Sequence, residues 1–243
     1  MANAPGRRPR GTPRVTQEPP APKSPAGKSE ARASNAVDGR AGSRAKRSAE
    51  RRDAILAAAL DEFSASGFAS TRLDDVARRA GVAKGTIYLH FADKETLFQE
   101  LIRMELSPVV AALEQVSHAD IPLRQVTDRL VEVFVREIFG TRRKDVIRLV
   151  LTEGPRFPAL AEFYFREVIS RVMSTIRDML RRAHERGELK TDALVRFPQL
   201  LPAPGIVAII WSGLFDRFEP LDVRAMMHAH FDILLGPRSK DHD

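Results

Sequence analysis

Residues 71–94 read TRLDDVARRAGVAKGTIYLHFADK, and this stretch decides the fold. Leu73, Val76, Ala77 and Ala80 fall at i, i+3, i+4 and i+7, which puts four apolar side chains on one helical face. Thr71 and Asp74 have capping-box spacing and predict where that helix starts. Gly81 predicts where it stops, because glycine takes the left-handed conformation at a helix C-terminus at little cost. Val82 follows as a buried turn residue. A second helix is predicted from Ala83 or Lys84 to His90.

That second helix is odd as a stability element. Gly85, Thr86 and Ile87 are mediocre to poor helix formers. Small residues at a helix N-terminus instead let the backbone come close to another molecule. Lys84, Gly85, Thr86, Tyr88 and His90 supply donors, and the helix holds no carboxylate. Ile87 and Phe91 anchor it to the rest of the domain. In a helix-turn-helix the second helix lies in the major groove, with its N-terminal residues at base edges. The N-terminus of the first helix, at Thr71 and Arg72, suits a phosphate.

The run Gly81-Val82-Ala83-Lys84-Gly85-Thr86-Ile87-Tyr88-Leu89-His90-Phe91, then Asp93-Lys94-Glu95 and Leu97, resembles the signature of the TetR/AcrR family of bacterial regulators. The resemblance is close from Ala49 to Ile102 and extends to the remainder only in general plan. A generic helix-turn-helix pattern is common by chance; GxxKGTIYxHFxxKExLF is not. Many relatives carry Ser where this chain has Ala83, and an Ala side chain neither caps a helix nor bonds a phosphate, so Ala83 gets no polar role. The resemblance implies an all-α protein: an N-terminal three-helix helix-turn-helix DNA-binding domain and a helical C-terminal ligand-binding and dimerisation domain. It implies DNA contacts from Thr71, Arg72, Lys84, Gly85, Thr86, Tyr88, His90 and Lys94. Lys94 is a cation in a first helical turn, where it opposes the helix dipole, which suggests a job beyond stability.

Composition bounds the remainder. The chain has 243 residues, 43% hydrophobic, and no cysteine, which excludes disulfides and thiolate metal sites and fits a reducing cytoplasm. The net charge of +7 misleads: residues 1–47 hold eleven Lys/Arg against three acids, and the remainder holds 28 basic and 29 acidic residues. The folded part is close to neutral, so the case for DNA rests on the motif. The longest apolar run, Gly205 to Phe215, is too short for the ~20 residues that span a bilayer. No apolar segment follows the basic N-terminus, so neither a secretory signal nor a membrane partner is expected.

The domain plan is a disordered basic tail over 1–45, poor in apolar residues. A DNA-binding domain follows over 46–94, with its motif at 72–91. A helical body covers 95–236, and a short tail 237–243. The first helix is expected from about Arg47 to Ser66, closed by Gly67, and a long helix capped by Asp93 runs to about Gln115. Helices are expected over 122–139, 145–153 and 158–186, the last stopped by Gly187. Asp192 is expected to cap the next segment, whose prolines break it. Two late helices then cover Gly205–Phe215 and Asp222–Leu235. No stretch alternates convincingly with a period of two, so no sheet is expected.

The Gly205–Phe215 helix is apolar almost all round and needs a cover. In the family plan the last two helices of two subunits form a four-helix interface, here assigned to Ile209, Leu214, Met227 and Phe231. A dimer also adds a second half-site about 34–36 Å away. Phe134, Phe163, Tyr164, Met173, Ile176 and Trp211 are candidates for a ligand pocket. Arg143, Arg148, Arg166 and Arg171 have three roles open: solvation, pairing with Glu, or selecting an anionic ligand.

No catalytic, metal or cofactor role is assigned. His228 and His230 lie two apart on a helix, pointing to nearly opposite sides, and no P-loop, GxSxG, HExxH or dinucleotide fingerprint occurs. The expected function is a ligand-responsive, sequence-specific transcriptional regulator. It would be a cytoplasmic homodimeric repressor, released from a palindromic double-stranded DNA operator by a small-molecule effector. The alternative is a non-specific architectural DNA binder driven by the basic tail.

Overall fold

The computed structural model describes residues 27–236, with side chains from residue 44. The first part of the expected tail and the tail 237–243 lie outside the described residues. All regular structure among the described residues is helical. The helices are α1 (Gly27–Ser70), α2 (Leu73–Arg79), α3 (Lys84–His90), α4 (Lys94–Ser117), α5 (Leu123–Val133), α6 (Arg143–Glu153), α7 (Pro158–Tyr164), α8 (Ser170–Glu185), α9 (Ala193–Arg196), α10 (Ala203–Leu214) and α11 (Val223–Leu235). Among the described residues, 27–48 and 49–236 belong to two separate units. The second holds both hydrophobic cores. The backbone from Gly27 is helical. Ala and Arg, frequent between Gly27 and Ser48, are good helix formers without any core.

Gly67 breaks α1 as expected, with φ 76° and ψ 165°. Gly81 closes α2 at φ 66°. There the Val82 N–H donates to the Ala77 carbonyl (3.0 Å) and the Gly81 N–H to the Arg78 carbonyl (3.2 Å), the two bonds of a Schellman motif. The start of α2 differs from expectation. It begins at Leu73, after an Arg72 that makes no side-chain cap bond, and Asp74 pairs with Lys84 instead. Asp93 does cap α4, accepting from the Thr96 N–H at 2.7 Å. Asp222 caps α11, accepting from the Ala225 N–H at 3.0 Å. Asp192 makes no side-chain cap bond.

Two features escaped the apolar spacing. The helix that begins as α5 continues through a wide π-type turn at Phe134–Phe139, and α7 passes into α8 through another at Phe165–Ile169. Pro108 lies inside α4.

Ile55, Ala59, Phe63, Val76, Ile87, Phe91, Leu97, Phe98 and Leu101 are buried in one core. At its centre Phe63 stacks on Phe68 (5.5 Å between centroids), and Phe98 meets both edge-on at 5.3 and 5.5 Å. A second core joins α5, α8, α10 and α11 through Val126, Ile176, Leu180, Ala208, Met227 and Phe231. Helix α4 serves the first core with Leu97 and Phe98 and lines a cavity with Leu106 and Val110.

Candidate nucleic-acid interface and cavity

Helix α3 is anchored by one side. Ile87 is fully buried and Phe91 follows it into the core, whereas Leu89 is 85% exposed and Tyr88 49%. At 3.6 residues per turn, Gly85 and Leu89 flank the line opposite Ile87. Lys84 is exposed too, and Thr86 and His90 are half-buried at the flanks. A Cβ built on Gly85 meets nothing within 4 Å, so nothing in the fold itself calls for its bare backbone. The outward face therefore offers a close backbone approach, one leucine side chain and polar groups on either side.

Lys84 Nζ donates to Asp74 Oδ2 at 2.7 Å, tying the start of α3 to α2. This hydrogen bond, with the charge of Asp74 behind it, raises the lysine pKa above its ordinary value. Arg72 is exposed at the entry to α2.

Two expected DNA contacts also hold partners within the protein. Thr71 is 3% exposed, and its hydroxyl donates to the carbonyls of Gly67 (2.8 Å) and Glu62 (3.2 Å). It holds the break after α1 and is not free for a phosphate. Lys94 Nζ donates to the carbonyls of Phe68 and Ala69, both at 2.9 Å, and lies 4.8 Å from the Phe68 ring centre. Its job beyond its own helix is to close the end of α1, where cations suit free carbonyls. Leu89 joins the outward face although its sequence position earned it no role. A signal was there, since it stands two residues from Ile87 in a helix with only one buried side. Arg52 is likewise engaged, pairing with Glu100.

The body holds a cavity of about 180 Å³. Of the expected pocket residues, Phe134, Tyr164 and Ile176 line it, together with residues of α4, α10 and α11 and of both wide turns. Phe163, Met173 and Trp211 do not. Phe163 is buried in the first core, with the Arg103 guanidinium 4.8 Å from its ring centre. Met173 is packed into the second core. Trp211 lies against Phe215 and donates its indole N–H to the Glu219 carbonyl at 2.8 Å. The four arginines left open all pair with acids: Arg143 with Glu137, Arg148 with Asp145, Arg166 with Glu167 and Arg171 with Glu114. Burial pushes the Tyr164 phenol up to about 12.

The expected interface residues also need correction. Ile209, Met227 and Phe231 are 1%, 5% and 2% exposed, and all three face the cavity. Of the four, only Leu214 is on the outside. It shares that surface of α10 with Val207 and Ile210, at i, i+3 and i+7. Phe218 follows the helix, and Ile233 is exposed on α11.

No group of three His, Asp or Glu side chains among the described residues converges to hold a metal ion. No helix among them is long and apolar enough to cross a membrane.

Comparison with known proteins places this geometry. Residues 55–101 match the model of bacterial regulatory proteins of the tetR family, and residues 122–196 match the C-terminal domain of AefR-like transcriptional repressors. The regulator AcrR of Shigella flexneri is 33% identical over 191 residues, covering 76% of this chain and 88% of AcrR. The chain belongs to the TetR family. A second relative, the repressor BepR of Brucella suis biovar 1, is 31% identical over 152 residues, 59% of this chain and 71% of BepR. The solved SmeT–triclosan complex has the same fold, with a TM-score of 0.63 at 19% identity, covering 79% of this chain and 100% of that one. A TetR-family chain is a DNA-binding transcriptional regulator, and α2 and α3 are its helix-turn-helix. The architectural alternative finds no support among these TetR-family relatives, which are named as transcriptional regulators or repressors.

Proposed function

We propose that this TetR-family protein is a homodimeric, cytoplasmic repressor that seats two copies of α3 in successive major grooves of a palindromic operator. The observation that carries this is the outer face of α3, where Gly85 and Leu89 stand opposite the buried Ile87 with polar side chains on both flanks. Lys84 and Arg72 serve phosphates, Tyr88, Thr86 and His90 hydrogen-bond the duplex, and Leu89 packs on a thymine methyl. The DNA-binding part covers residues 46–94 and the effector body 95–236. The exposed surface of Val207, Ile210, Leu214, Phe218 and Ile233 is the dimer face, in place of the inward residues.

A small molecule in the cavity releases the operator. SmeT, alike in fold, is solved with triclosan bound. Two elements join cavity and head here. Helix α4 contributes to both, and α6 lines the cavity with Ile147 while its Glu153 Oε1 accepts from the Phe68 N–H at 3.3 Å. An effector that prefers the form with mismatched heads lowers operator affinity by the ratio of its two affinities, a coupling of about 1–3 kcal/mol.

Selection of bound DNA from random sequence by the full-length protein tests the operator. A palindrome is expected, and Leu89→Ala should weaken it about 5- to 100-fold with relaxed preference at one thymine. Binding without sequence preference would overturn the proposal. Sedimentation of Ile210→Glu/Leu214→Glu should show monomers; an unchanged dimer would remove the assigned face.

A further inference from the structure

The cavity's wall is built almost wholly of carbon. Tyr164 is the one lining residue with a polar side-chain group, and its hydroxyl makes no hydrogen bond among the described residues. No lysine, arginine, histidine or carboxylate among them lines the space. The guanidiniums of Arg143, Arg148 and Arg171, outside that lining, are held by carboxylates. A buried anion would therefore lose its water and gain no partner, which costs more than the apolar contacts return. The volume also bounds the guest. An apolar cavity of about 150 Å³ stays dry and admits benzene, so about 180 Å³ suits a substituted single ring. Gly205 helps keep the space open, because a Cβ there would fall 2.8 Å from the Phe134 ring, itself part of the wall.

From this geometry we infer that the effector is a neutral, apolar compound of about one ring carrying a single hydrogen-bond acceptor, which the Tyr164 hydroxyl donates to. The inference rests on the cavity being the effector site. The elevated phenol pKa keeps the hydroxyl protonated at any physiological pH, so it is available as a donor.

Calorimetric titration of the full-length protein without DNA tests this with three probes: acetophenone, ethylbenzene and benzoate. Acetophenone should bind more tightly than ethylbenzene, by about three- to tenfold, the value of one net hydrogen bond. Benzoate should bind far more weakly than either. Tyr164→Phe should bring acetophenone down to the level of ethylbenzene, leave ethylbenzene unchanged, and melt as a folded protein. Gly205→Ala should weaken both neutral probes. Benzoate binding as tightly as acetophenone would overturn the inference, as would acetophenone binding indifferent to Tyr164→Phe or no binding of either neutral probe. Binding as expected with no release of operator leaves this ligand class standing and removes the effector role alone.

Discussion

The head is built round a cluster of aromatic rings, the body round a cavity. Around Phe63, Phe68 and Phe98 three rings meet within 5.5 Å of one another, each fully buried. Across α4, the body keeps about 180 Å³ empty between helices, two of them carrying wide π-type turns that border the space. The contrast fits two jobs. A surface that must match a groove needs one shape, and dense aromatic packing resists any other. A body that must answer a guest needs room and segments that can shift, and π-type turns are frequent at such sites.

The largest effect should come from opening a hole in the head. Phe63→Ala should cost about 3–5 kcal/mol by urea denaturation; a loss below about 1 kcal/mol would mean that the head relaxes as freely as the body. Next comes the junction. Gly67→Ala must hold φ 76° and places a Cβ 2.8 Å from Glu153 Oε1, so about 1–3 kcal/mol is expected to be lost. The body should respond with the opposite sign. Val172→Phe, at the cavity wall, should raise stability by about 0.5–1 kcal/mol in thermal melts while abolishing small-molecule binding. A destabilised protein there would say that the space is not free.

The smallest effect concerns Asp93. The Thr96 backbone N–H, then the Thr96 side chain, hold its carboxyl below the usual range. With its folded value depressed, its contribution is complete above the unfolded value, about 3.9, and is lost as pH falls through the lower folded one. Asp93→Ala should cost about 1 kcal/mol at pH 7. Asp93→Asn should keep most of the cap and flatten the acid limb of the stability curve below about pH 4, measured by denaturation at each pH.

Those contrasts also explain what could be read in advance. The helix-turn-helix was legible because its determinants are local: apolar spacing in α2, Gly81 at its end, and Ile87 with Phe91 as anchors. The internal partners of Thr71 and Lys94 were not legible because those carbonyls, of Glu62, Gly67, Phe68 and Ala69, sit on another helix, and a capping pattern says nothing about them. In α10 nearly every side chain is apolar, so spacing alone does not tell Ile209, which faces inward, from Ile210, which faces out. The wide turns keep an apolar helical pattern and leave no mark in it. A cavity is an absence of atoms, so Phe134, Tyr164 and Ile176 could be named beside Phe163 and Met173 with nothing to separate a wall from a filled core.

The bond between Lys84 and Asp74 has a consequence for measurement. If Lys84 serves a phosphate as proposed, Asp74 holds its place before any duplex arrives, so docking exchanges one anion for another at that ammonium and frees few condensed counterions. A plot of operator affinity against salt would then undercount the phosphates this protein touches, and Asp74→Asn would steepen it.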